Sequence, residues 1–288
     1  MNPHLADLIR LLELERLEDN LFRGASRDIG SPQVFGGQVL GQALRAAYAT
    51  IGEGRRAHSL HAYFLRRGDF NAPIVYEVDR SRDGHSFSSR RVVAIQHGVQ
   101  LFHMAASFQA SESGVEHQAP MPEAPAPESL PSLYDVPADL RARLPENLRK
   151  LARDDIPFEF RLVQPVNYAR PAAEPPRQDV WLRAVDRLPD DPLLQQCLLA
   201  YVSDYHLIGT ALRPHRASMA TPGITVASID HAMWFHRPAR VDDWLLYSMD
   251  SPSASGARGF ARASLYTREG VLVASTAQEG LIRLPPRD

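Results

Sequence analysis

One cysteine, Cys197, is all that this 288-residue chain carries, which excludes an internal disulfide and fits a reducing compartment. It stands in the apolar stretch Leu193–Leu199, where a small buried packing residue is expected. Lysine is scarcer still relative to its usual abundance: Lys150 is the only one, so the positive charge is arginine. That bias reflects genome composition at least as much as phosphate recognition. No run of about 20 apolar residues occurs, so no membrane span is expected. A formal net charge of -2 argues against nucleic acid or an anionic membrane as partner.

Motifs are missing too. Without Gly-x-Ser-x-Gly, a serine-hydrolase elbow has no support. Without His-Glu-x-x-His or paired cysteines, there is no metal site to expect. The opening MNPHLADLIRLLELERLED is not a signal peptide; Leu5, Leu8, Leu11 and Leu12 at helical spacing predict an amphipathic surface helix. The tail Leu284–Asp288 carries no peroxisomal or retention address, and a cytoplasmic protein is expected.

What the chain does have is itself, twice. His61-Ala-Tyr-Phe-Leu-Arg66 lines up with Ala232-Met-Trp-Phe-His-Arg237 at an offset of 171 residues. In that register Tyr63 meets Trp234, Tyr76 meets Tyr247 and Asp79 meets Asp250; after one inserted residue Arg90 meets Arg262 and Gly98 meets Gly270. So long a period means a duplicated domain rather than a solenoid.

Each copy reads as a helix and an antiparallel set of strands. In the first, Asn20–Ser26 is a strand, and Gly36-Gly37 opens a helix whose stripe of Val39, Ala43 and Ala47 is small enough to lie close on a sheet. Strands follow at 58–65, 73–80, 87–96 and 99–109, the last two joined by a turn at His97-Gly98. Six prolines within residues 119–137 predict an extended linker acting as a tether. The second copy resumes with strands at 158–166 and 178–185, one helix over Leu193–Leu212, and strands at 225–235, 244–250, 258–267 and 271–280. The expected class is α+β, one long helix on an antiparallel sheet, made twice. Expected boundaries are 1–110, a linker at 111–155, and 156–288.

Chemistry is sought where one copy is polar and the other is not. Asp204 falls within the second helix with Ala200, Tyr201, Leu207 and Ile208 as its helical neighbours. A carboxylate there either reaches solvent at the stripe's edge or is partly buried, which raises its pKa and suits a general base. Ser228 opens a strand where the first copy has Ala57, and Gln278 stands where it has Ala106. Gln278 shares a strand face with Leu272, Ala274 and Thr276, and a satisfied structural amide is its plain alternative. His61, His231 and His236 read as structural; His58 neighbours the suspected site. Gly36-Gly37 could present N–H groups to an anion or carbonyl, or simply permit close packing.

With Ser228-Ile-Asp-His-Ala-Met-Trp-Phe-His-Arg-Pro238 in view, together with Val34–Gln38, Arg82–Ser88 and Gly270–Gly280, the chain resembles the acyl-CoA thioesterase II family nearly end to end. The resemblance implies a double hotdog fold, in which a long helix is wrapped by a curved antiparallel sheet twice per chain. It also implies a catalytic trio of Asp204, Ser228 and Gln278, with Ser228 standing where bacterial relatives often carry Thr. Fatty acyl-CoA would be hydrolysed without a cofactor. Asp204 would take a proton from a water held by Ser228 and Gln278, and no acyl-enzyme would form. Arg66, Arg67, Arg90, Arg91, Arg237, Arg258 and Arg262 form the pool from which the coenzyme's phosphates would draw partners. A homodimer or homotetramer is expected. The competing readings are an acyl-CoA-binding or sensing protein without catalysis, and a hotdog hydratase or dehydratase that leaves the thioester intact.

Overall fold

A computed structural model of the chain describes residues 1–30, 33–133 and 156–285. The latter part of the expected linker, 134–155, and the last residues of the tail lie outside that set. Helix α1 (Pro3–Leu12) is capped by the Asn2 side chain, which accepts from the N–H groups of His4 and Leu5, and it buries Leu5, Leu8, Leu11 and Leu12 as expected. Two short strands, β1 (Glu15–Glu18) and β2 (Leu21–Gly24), lead to α2 (Gly36–Tyr48). Next come β3 (Arg55–Phe64), β4 (Ile74–Asp83), β5 (Phe87–Gln96) and β6 (Val99–Ala110). His97 and Gly98 turn the last hairpin with φ of 51° and 73°, the mirror-image turn that matches strand twist.

The second copy runs β7 (Phe158–Leu162), β8 (Arg177–Ala184), α3 (Pro192–Val202), α4 (Leu207–Leu212), β9 (Thr225–Ser228), β10 (Asp230–Phe235), β11 (Leu245–Ser255), β12 (Arg258–Thr267) and β13 (Leu272–Arg283). Among the described residues all these strands form one antiparallel sheet, ordered β1-β2-β4-β5-β6-β3-β10-β13-β12-β11-β8-β7, with β9 also on β13.

The copies meet at β3 and β10, and the register there carries the duplication. His61 and Ala232, which correspond in the repeat, face each other. Leu60 opposite Met233 is mirrored by Ala62 opposite His231. A pseudo-two-fold axis therefore passes between His61 and Ala232, and the order of strands reads outward from it the same way on both sides.

The helices cross on the inner face, where glycine sets the distance. A Cβ on Gly37 would fall on the Tyr201 carbonyl oxygen, and one on Gly41 would stand 3.1 Å from the Cys197 carbonyl oxygen. Cys197 is buried in this crossing, and burial pushes its thiol up to about 12, which makes it inert packing.

Three expectations need correction. The predicted single helix over Leu193–Leu212 is two helices, interrupted at residues 203–206, with His206 in the left-handed region at φ 64°. Leu272 does not share the face of Gln278: a bulge at Val273, where Leu265 pairs with Ala274 but Tyr266 pairs with Leu272, turns it outward onto Trp181, Trp244, Leu246 and Tyr266. The proline-rich stretch is extended except for a 3-10 turn at Pro127–Ser129, and through Leu133 it is a strap rather than a tether. It covers that outer tryptophan cluster with Met121, Ala124 and Leu130. Trp181 Nε1 donates to the Pro125 carbonyl (2.9 Å), and Arg161 donates to those of Pro127 and Leu130. Arg268 grips Glu128 with both guanidinium arms. No helix among the described residues is long and apolar enough to cross a membrane.

Candidate active site

Asp204, Ser228 and Gln278 come from three separate elements and meet. Asp204 lies in the interruption between α3 and α4, not in a helix interior, which removes the propensity conflict that its sequence position suggested. Ser228 ends β9, and the strand resumes only at Asp230. Opposite this kink β13 has one residue fewer, since Gly280 pairs with Ser228 and Ala277 with Ala232; the extra residue, a β-bulge, re-aims Ser228. Gln278 is on β13, buried between β12 and the kinked strand.

Gln278 Nε2 donates to Asp204 Oδ1 at 2.6 Å, and Ser228 Oγ donates to the same oxygen at 3.5 Å. The Gly37 backbone N–H, at the start of α2 in the first copy, lies close enough to the carboxylate to help hold its pKa down. A Cβ on Gly36 would stand 2.6 Å from Asp204 Oδ2, so any larger residue there would push the carboxylate aside. The double glycine thus permits close packing, and the start of α2 that it forms lies beside the carboxylate. Burial raises the Asp204 pKa to about 6, and Gln278, Gly37 and Ser228 limit that rise. Gln278 Oε1 is buried with no hydrogen-bond partner within the protein.

Helix α4 brings the site close to the sheet because two strand positions lack side chains. A Cβ on Gly280 would strike Ile208, and one on Gly259 would stand 2.7 Å from Ala211 Cβ. Asp204 and Ser228 form part of the wall of a cavity of about 930 Å³, lined with apolar groups such as Val34, Phe35, Leu162 and Ile208. A smaller hollow of about 150 Å³ adjoins it, sharing Gly36 and Ser228 and bordered by Arg66 and Arg67.

The arginine pool now divides. Arg90 leaves it: it is buried, and it binds Thr50, the Arg82 carbonyl and Asp83 as a structural core residue. Arg258 pairs with Glu279, Arg262 with Asp250 and Arg237 with Glu116. His58 bonds Ser107 (2.8 Å), packs edge-on against Phe87, and lines neither cavity. His61 packs on Trp234, His231 bonds Ser203, and His236 bonds Ser275. Sequence reasoning overlooked Ser203 and Tyr247, although Tyr247 was already paired with Tyr76 in the repeat.

Two helices crossing on the inner face of one continuous sheet, with an acid, a hydroxyl and an amide converging in one copy only, define a double hotdog of the thioester-hydrolase kind. The chain's residues 24–109 match the family model described as acyl-CoA thioesterase N-terminal domain, and residues 152–281 match the model described as acyl-CoA thioesterase. It is 45% identical to acyl-CoA thioesterase 2 of Haemophilus influenzae, with 98% of this chain and 99% of that protein covered. It is 41% identical to human acyl-coenzyme A thioesterase 8, with 96% and 89% covered. The crystal structure of an acyl-CoA thioesterase II from Mycobacterium marinum superposes with a TM-score of 0.79 at 41% identity, covering 98% of this chain and 99% of that one. A hot dog fold protein from Alicyclobacillus acidocaldarius shares the architecture at 18% identity (TM-score 0.78, with 97% and 99% covered). The chain belongs to the acyl-CoA thioesterase II family.

Proposed function

We propose that this protein hydrolyses fatty acyl-CoA to free fatty acid and coenzyme A, with Asp204 as general base. The supporting observation is the Asp204 carboxylate itself. It lies on the wall of an apolar cavity, bonded to Ser228 and Gln278, with its pKa raised to about 6. A base poised there is ionised at neutral pH yet still has real proton affinity.

In the reaction Asp204 takes a proton from water, and the oxygen of that water attacks the thioester carbonyl. The C–S bond breaks in the resulting tetrahedral intermediate, and the coenzyme leaves as its thiol after protonation. Ser228 Oγ borders both cavities and is within reach of the water and the base together. Gln278 holds Asp204 through its N–H, and its unpaired Oε1 is the acceptor left for the same water. General-base help supplies about 10²–10⁴-fold, so fixed geometry and stabilisation of the oxyanion provide the remainder. The acyl chain occupies the large apolar cavity. Arg66 and Arg67 border the smaller hollow and Arg27 and Arg213 line the large cavity, and these carry the sign of charge that coenzyme A phosphates require.

The test is release of free thiol from decanoyl-CoA by the wild type and by Asp204→Asn. Hydrolysis by the wild type and its loss in the variant are expected. Decanoyl-CoA bound but left intact would support the sensing alternative, and conversion of an enoyl-CoA with no thiol released would support a hydratase. We further infer a cytoplasmic homo-oligomer. The exposed Tyr63 and Trp234 at the junction of the copies form a face that a second chain would cover, and light scattering at the monomer mass would refute it.

A further inference from the structure

Ser203, the residue before Asp204, is where α3 stops. In a continuous helix its carbonyl would accept the N–H of Leu207, four residues on. Instead Leu207 N–H donates to the Tyr205 carbonyl (2.8 Å), and the Ser203 carbonyl accepts the Tyr247 hydroxyl from β11 (2.7 Å). The same phenol oxygen lies 3.1 Å from Thr276 Oγ1, on β13 two residues before Gln278. Ser203 Oγ–H donates to the Ala200 carbonyl, which leaves His231 Nε2–H of β10 to donate to that Oγ (2.9 Å). Ser203, His231, Tyr247 and Thr276 are all buried. Two strands therefore hold Ser203, the first residue of the interruption, and a third holds the phenol that reaches it. Burial pushes the Tyr247 phenol far up, so its proton stays in place through the range where Asp204 titrates.

The first copy supplies the comparison. Tyr76, which corresponds to Tyr247, gives its hydroxyl to the Gln42 side chain (2.7 Å) and not to a main-chain carbonyl, and α2 runs unbroken from Gly36 to Tyr48. Where the second copy has His231 and Thr276, the first has Leu60 and Met104. The helix crossing is symmetric if Gly37 corresponds to Cys197 and Gly41 to Tyr201, and on that register Ser203 and Asp204 correspond to Ala43 and Leu44. The polar grip and the acid occur in the same copy.

We propose that Tyr247 is a positioning residue for the reaction: by taking the Ser203 carbonyl out of the helical ladder it keeps α3 and α4 apart and turns Asp204 toward Ser228 and Gln278. The proposal rests on Asp204 being the general base. Thr276 supports it by donating to the phenol oxygen, and His231 holds the other side of Ser203.

The test compares Tyr247→Phe, Tyr76→Phe and Asp204→Asn with the wild type, following thiol release from decanoyl-CoA. Both tyrosine variants lose one buried hydroxyl, so a purely structural role would affect them alike. Y247F is expected to lower kcat at least tenfold with KM within twofold, and Y76F to keep kcat within twofold. Equal kcat in the two, or Y247F within twofold of wild type, would overturn the proposal. An inactive D204N beside an unimpaired Y247F would remove only the positioning role; a fully active D204N would remove the base and this proposal with it. Should Y247F fail to fold, Thr276→Val takes its place: a threefold or larger fall in kcat is expected, and no change overturns the idea.

Discussion

The two copies share a strand order, a crossing helix and a buried tyrosine, yet the space where one keeps its acid is closed in the other. Beside Ala57, the counterpart of Ser228, the Tyr48 hydroxyl accepts the Ala57 N–H (2.7 Å) and donates to Gln196 Oε1. Gln196 Nε2 donates in turn to the Ala57 carbonyl (2.9 Å), and the Tyr48 ring packs edge-on against Phe108. Every polar group there has a partner. At the other site Asp204 carries a charge in partial burial and Gln278 Oε1 lacks a partner. One copy has spent its polar groups on stability and the other holds them in readiness.

The largest expected effect comes from making the active copy more like the closed one. Asp204→Asn should lower kcat about 10²–10⁴-fold. Next, Gly37→Ala should cost about 3 kcal/mol, because its Cβ would meet main chain on the opposite helix, whereas Gly52→Ala, in open space, should cost almost nothing. Urea denaturation of the two variants measures the difference.

Asp204→Asn should also stabilise the fold by about 3 kcal/mol at neutral pH, since the raised carboxyl pKa records an unfavourable buried charge. The sign follows from the folded pKa lying above the unfolded one. The penalty is present above pH 6 or so, and it disappears as pH falls and the carboxyl is protonated, so the gain in melting temperature should vanish in acid. Catalysis has the opposite dependence: kcat/KM should be flat above about pH 6 and fall roughly tenfold per pH unit below it. A flat profile down to pH 4.5 would remove Asp204 from the base role.

The smallest effect tests the closed copy. Tyr48→Phe leaves the Ala57 N–H unpaired and should cost about 1 kcal/mol, with hydrolysis unchanged. A loss of activity would mean that the closed site takes part in the reaction.

Much of this was legible in the residues. The repeat announced two copies, and β5 and β12 begin and end where strand periodicity puts them. The rule that polar-against-apolar pairs mark chemistry brought out Ser228 and Gln278, and helix geometry brought out Asp204. The interrupted helix was not legible, because Ala200, Tyr201, Leu207 and Ile208 keep helical spacing across it; the cause lies in a phenol on β11, far along the chain. The strap was half legible. Proline fixes an extended backbone, but what that backbone lies on depends on Trp181 and Trp244, which a strand pattern alone does not turn outward or cover. Arg90 entered the pool of candidate phosphate partners because a buried guanidinium and a surface one are spelled alike.

The Gly36–Gly37 corner that lies against Asp204 belongs to the first copy, so the proposed active centre is assembled from both. Two identical chains associating in this manner would carry two equivalent centres, and any change suited to one would be imposed on the other. Joining them in a single polypeptide releases that constraint. The first copy can fill its own centre with Tyr48 and still lend a helix terminus to its neighbour. Covalent linkage is what lets a symmetric architecture hold an unsymmetric division of labour.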